Sequence, residues 1–133
     1  EKYMKRSNIY EEKSIYIDEA WTMLKYEETA NFIEQLARRA RKRGVRLVLA
    51  SQMAEEFTAS AQGRATLNSC GTAIIMKQSP ASVDKIIEFF KLSNGTRDFL
   101  LQAKKGEALL YMEGKVSAIA IEILDKEKEM LKV

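Results

Sequence analysis

Apolar positions recur along this chain at two different periods, and the switches between them predict its elements. "SIYI" (14–17) is a short apolar run that reads as a buried strand. From about Glu27 to Arg43, the residues Phe32, Ile33, Leu36, Ala37 and Ala40 recur at helical spacing, and Gly44 stands where a helix C′ glycine belongs. "VRLVLAS" (45–51) is β-branched and nearly continuously apolar, which predicts a strand. Residues 52–62 read as a loop with a helical turn, 63–69 as a short helix and "TAIIM" (72–76) as a third strand. Ser79 and Pro80 fit the N-cap and N1 positions of a helix over 79–92. The turn residues Asn94-Gly95 precede a short helix predicted over 96–103. Residues 107–123 read as a hairpin turning at Glu113-Gly114, and "DKEKEMLKV" (125–133) as a charged helix or tail.

Strands alternating with helices are the α/β pattern, in which parallel strands are covered on both faces and ligands sit at their carboxyl ends. Asp18 and Glu19, and after the next strand Ser51 and Gln52, fall at that edge. Phe89, Phe90 and Phe99 are expected in the core, and Trp21 is expected to pack rather than to stack on a base. Residues 1–13 read as a polar lead-in.

Composition narrows the chemistry. With 133 residues, 46% hydrophobic and 31% charged, the chain suits one soluble domain. There is no histidine and a single cysteine, Cys70. Histidine bases, Ser-His triads and zinc sites built from His or several Cys are therefore excluded. No internal disulfide can form, and a reducing compartment is expected. The net charge of +3 is only mildly basic and is weak evidence for an anionic partner. No apolar run approaches the roughly 18–20 residues of a membrane span. The start is charged and polar, without a signal peptide or an initiator Met, so the chain reads as a piece of something longer.

The adjacent acids allow two readings. In the first they form a Walker B element. Asp18 at the strand tip would hold Mg²⁺, directly or through water, because a hard cation takes oxygen ligands and keeps its waters. Glu19 would orient the attacking water, and the Gln52 amide, one strand over, could bond both the γ-phosphate and that water. In the second reading Asp18 caps the following helix and Glu19 favours its positive end.

"LARRARKRGVR" (36–46) carries six basic residues within nine positions, Arg38 to Arg46. Cations suit a helix C-terminus, and Glu34–Arg38 is an i,i+4 pair. The run could equally supply an arginine finger for phosphoryl transfer, or contact the phosphate backbone of DNA. Asn68, ahead of the third strand, could reach a nucleotide or serve as a cap.

"IYIDEAW", "RRARKRGVRLVLASQ", "LNSCGTAIIMKQ" and "FFKLSNGTRDFLLQAKKGEALLYMEGK", in that order, resemble the C-terminal part of the VirB-type conjugative-transfer ATPase of type IV secretion systems, in the HerA–FtsK branch of RecA-like motors. The resemblance runs from Ile15 to about Ile123. It implies a partial RecA-like P-loop NTPase core over 14–133, hydrolysis of ATP with Mg²⁺, and a working hexamer. It also implies a place at the cytoplasmic face of the inner membrane, with other secretion components and a DNA or protein substrate as partners. Carried over by position, Asp18 matches the Walker B aspartate, Glu19 the catalytic glutamate and Gln52 the glutamine after the next strand. Arg41 and Lys42 match the basic pair before the glycine, where related motors place an arginine that acts on a neighbour's nucleotide; Arg38 or Arg39 could hold that role instead. One departure is large: the chain contains no G-x-x-x-x-G-K-[ST]. The missing P-loop half is expected upstream, its strand lying between 45–51 and 72–76, and this chain alone is expected to bind Mg-ATP poorly. Rival readings are a DNA-pumping HerA/FtsK-type translocase and a non-enzymatic basic module that docks onto nucleic acid or a subunit.

Overall fold

A computed structural model describes residues 12–131, so most of the expected lead-in segment lies outside the described residues. The chain packs as two compact units that meet in sequence between Cys70 and Gly71.

In the first unit, β1 (Lys13–Ile17) and β2 (Val45–Leu49) pair in parallel, from Lys13 opposite Val45 to Ile17 opposite Leu49. The crossover is α1 (Glu27–Ala40). Its first turn carries Glu27 and Glu28 and its last turn Arg38 and Arg39, charges that complement the helix dipole. Its inner face buries Ile33, Leu36, Ala37 and Ala40 as expected, together with Ala30, whereas Phe32, expected in the same stripe, falls off the inner face and is 51% exposed. A 3-10 turn over Arg41–Arg43 follows, and Gly44 closes it at φ 63°, a left-handed conformation that costs glycine nothing. Leu36, Ala40 and Val45 pack with Ile15, Ile17 and Leu47; Ala20, Ile33 and Phe57 form a second cluster with Trp21, Leu49 and Leu67.

The strands are not buried on both faces as expected. Their burial alternates, and Tyr16 is 71% exposed. Among the described residues helices cover one face of the pair only, so the period-2 alternation of a half-buried strand wins over the apolar run.

Residues 54–59 form a helix, α2 (Ala54–Ala59), where a loop with one turn was expected, and α3 runs over Ala61–Ser69. Phe57, on α2, is buried in the second cluster and anchors it. Ser60 separates the two helices and caps the second, its Oγ accepting the Gly63 N–H at 3.0 Å. Gly63 lets the junction close: a Cβ there would lie 2.3 Å from the Phe57 carbonyl oxygen.

In the second unit, β3 (Thr72–Ile75), β4 (Glu107–Met112) and β5 (Lys115–Ala120) form an antiparallel sheet in that order. The third strand thus has an antiparallel neighbour rather than a parallel one. Two helices separate β3 from β4, and the chain re-enters the sheet at the end where it left it, as the register from Thr72 opposite Met112 to Ile75 opposite Leu109 requires. The hairpin turns at Glu113 (φ 50°) and Gly114 (φ 81°), the two positive φ values of a tight two-residue turn. α4 (Pro80–Phe90) begins as predicted, with Ser79 Oγ accepting the Ser82 N–H at 3.2 Å. α5 (Asn94–Gln102) begins earlier than expected: Ser93 Oγ accepts the Thr96 N–H at 3.3 Å, so Asn94-Gly95 form the helix's first turn. Val83, Ile86, Leu100, Ala103, Ala108, Leu109 and Ile75 are buried. Phe89, Phe90 and Phe99 are half-buried rather than central, with Phe90 edge-on to Tyr111 at 4.8 Å. A short exposed helix, α6 (Asp125–Met130), follows.

Candidate active site

The acidic pair sits where β1 ends. Asp18 is exposed, and its Oδ1 accepts the Glu19 N–H at 2.9 Å. Glu19 takes a left-handed conformation, φ 49° and ψ 42°, and opens a 3-10 turn over Ala20–Leu24. A non-glycine residue there costs about 1 kcal/mol. The turn is held by Thr22, whose N–H and Oγ1–H both donate to the Glu19 carbonyl, at 2.9 and 2.8 Å.

Neither carboxylate caps the helical turn that follows. Glu19 occupies its N-cap position without a side-chain capping bond. Instead its Oε2 accepts the indole Nε1–H of Trp21 at 2.5 Å. Lys25 Nζ lies 4.3 Å from the centre of the Trp21 ring, a cation–π contact. Sequence reading missed this arrangement. The sequence shows an aromatic two residues past Glu19 and a lysine four further on, but not the left-handed Glu19 backbone that brings the indole to the carboxylate.

Two backbone bonds bring the next strand's end to the same edge. Ala50 N–H donates to the Ile17 carbonyl and Ala20 N–H to the Ala50 carbonyl, each at 2.9 Å. Ser51 and Gln52, both exposed, therefore follow directly from the residue bonded to the acidic turn. Ser51 Oγ accepts the Met53 N–H at 3.2 Å and shapes the loop.

The other named residues are not gathered here. Arg41 and Lys42 precede β2, at the opposite end of the strand from Gln52, roughly 15 Å away along five residues. Both are exposed, and Arg41 lines a shallow hollow with Glu12, Lys13, Ser14, Gly44, Val45 and Arg46. Arg38 pairs with Glu34 at 2.8 Å, the expected i,i+4 bridge. Asn68 is exposed on the last turn of α3, whose end is closed by Cys70 N–H donating to the Leu67 carbonyl. Burial raises the Cys70 thiol above its ordinary pKa, which suits a structural rather than a reactive cysteine.

Among the described residues no cluster of three or more His, Cys, Asp or Glu could cage a metal. Mg²⁺ is commonly held by one or two carboxylates plus substrate phosphates and water, without such a cage. Asp18, exposed and with one oxygen engaged, is a donor of that kind. The edge can thus offer a cation ligand, a carboxylate with a fixed orientation, and an amide.

The AAA-like domain family matches residues 1–131. No curated protein matches. Among solved structures, VirB4 of Thermoanaerobacter pseudethanolicus is similar at TM-score 0.81 and 25% identity over 90% of this chain. The genome packaging NTPase B204 of Sulfolobus turreted icosahedral virus 2, solved with ATP-gammaS, has the same fold at TM-score 0.61 and 16% identity over 86% of this chain. The chain spans 33% of the VirB4 structure and 54% of the packaging NTPase. Its mixed parallel and antiparallel α/β architecture is that of P-loop NTPases, with a VirB4-type likeness, and the chain belongs to the AAA-like domain family.

Proposed function

We propose that this chain is the Walker B half of an Mg-ATP-hydrolysing motor of the type IV secretion class. The observation that carries this reading is the edge geometry: an acidic pair spent on no helix cap, and the backbone leading to Gln52 tied to the same turn by the Ala20–Ala50 bond. The 25% identity to VirB4 supports the class of motor.

In this reading Asp18 holds Mg²⁺, and Glu19 orients a water and accepts its proton as the water oxygen bonds the γ-phosphorus. The bond from that phosphorus to the β,γ-bridging oxygen breaks, and ADP and phosphate leave. When bound, Mg²⁺ neutralises charge on the phosphate oxygens. Gln52 holds the γ-phosphate and the same water. Arg41 and Lys42, exposed at the far end of β2, would serve a neighbouring subunit's nucleotide rather than this one, which requires an oligomer such as a hexamer. Asn68 is the weakest of the nucleotide contacts: it is exposed on the last turn of α3, and no hydrogen bond among the described residues ties it to the acidic turn. A P-loop elsewhere in the parent supplies the phosphate cradle, because these 133 residues contain none. The motor works at the cytoplasmic face of the inner membrane, with other secretion components and a DNA or protein substrate as partners.

A magnesium titration of ATP turnover in the intact parent tests this. Asp18→Ala should raise the Mg²⁺ needed for half-maximal rate and lower the maximum. An unchanged magnesium curve would remove Asp18 from the site.

A further inference from the structure

We propose that Trp21 is the positioning residue for the Glu19 carboxylate, its indole N–H fixing one oxygen so that the other faces the water. This rests on the reading of Glu19 as the group that activates water.

The backbone of Glu19 is held at both ends: its N–H by Asp18 and its carbonyl by Thr22. Its side chain has three rotatable bonds and is only half-buried, so backbone bonds alone leave the carboxylate free to change rotamer. The indole removes that freedom, with Nε1 donating to Oε2 at 2.5 Å. A donor to an ionised carboxylate makes a stronger bond than one between neutral groups.

Trp21 is itself well placed to act as a fixed donor. Its ring packs against the cluster of Ala20, Ile33 and Phe57, which holds its plane. The Lys25 ammonium over the ring draws on its π density, and that makes the N–H a better donor. Packing alone would need only an aromatic ring. The hydrogen bond needs an indole.

The test uses the intact parent protein. Trp21→Phe keeps an aromatic ring and removes the N–H. It should lower kcat about tenfold, the worth of one bond to a charged group, with KM for ATP unchanged and the protein still folded, its melting temperature lowered only by the smaller ring and the lost bond. In protein labelled with 15N-tryptophan, the Trp21 indole resonance, identified by its loss in Trp21→Phe, should move in Glu19→Gln, where the charged acceptor becomes neutral. Native kcat in Trp21→Phe, or an indole resonance indifferent to Glu19→Gln, would overturn the positioning role and leave the reading of Glu19 intact. Native turnover in Glu19→Gln would overturn that reading, and the positioning role with it.

Discussion

The backbone N–H of Ala20 donates to the carbonyl of Ala50 at 2.9 Å, joining the residue after the acidic pair to the residue before Ser51 and Gln52. With the Ala50 N–H donating to the Ile17 carbonyl, this bond brings the backbone that follows Glu19 and the backbone that leads to Gln52 to one edge.

Gln52 is exposed and sits past the end of β2, so its side chain contributes little to folding. In the intact parent, Gln52→Ala should lower kcat roughly a hundredfold, the typical cost of losing one preorganised donor. The melting temperature should stay within about a degree of native, as expected of an exposed position. Steady-state hydrolysis and a thermal melt on the same preparation check both halves.

The junction between α2 and α3 depends on a missing side chain. A Cβ on residue 63 would meet the Phe57 carbonyl oxygen at 2.3 Å and its Cα at 2.8 Å, and backbone atoms cannot step aside as a side-chain tip can. Gly63→Ala should destabilise the protein by about 1–3 kcal/mol, the usual cost of overpacking. Chemical denaturation measures this, and a change under about 0.5 kcal/mol would be that of an ordinary surface substitution.

These features differ in how far the sequence disclosed them. Ser79-Pro80, Gly44 and Glu113-Gly114 were readable because each is a local conformational demand met by one or two residues. The acidic pair and Ser51–Gln52 were readable because strand ends align at one edge in any parallel pair. The indole bond to Glu19 was not, because it depends on Glu19 adopting a left-handed backbone that no residue type announces. Strand burial was misjudged for a related reason: "SIYI" is apolar in a row, yet its register turns Tyr16 outward. The antiparallel partner of β3 arrives 32 residues downstream of Ile75, with two helices between, and strand direction is not written in periodicity.

Arg97 and Asp84 join α5 to α4 through a bond from Nε to Oδ1 at 2.6 Å. That hydrogen bond from Arg97 holds the Asp84 carboxyl below its ordinary pKa. A lowered folded-state value means the stabilisation is present above the unfolded pKa, about 3.9, and fades as pH falls through the folded one. Asp84→Asn should therefore melt slightly below native at pH 7, with the gap closing in acid. High salt should narrow the gap too, since the pair is exposed. A gap that stays constant from neutral pH into acid would show that the ion pair contributes nothing.

The central claim is that Glu19 activates water for ATP hydrolysis, and one substitution addresses it. Glu19→Gln preserves size and removes charge and basicity. Measured in the intact parent beside native protein, ATP binding should be retained while kcat falls by at least about 100-fold, the usual contribution of a general base. Turnover equal to native would contradict the account, leaving Asp18 and Glu19 as structural residues at a strand edge.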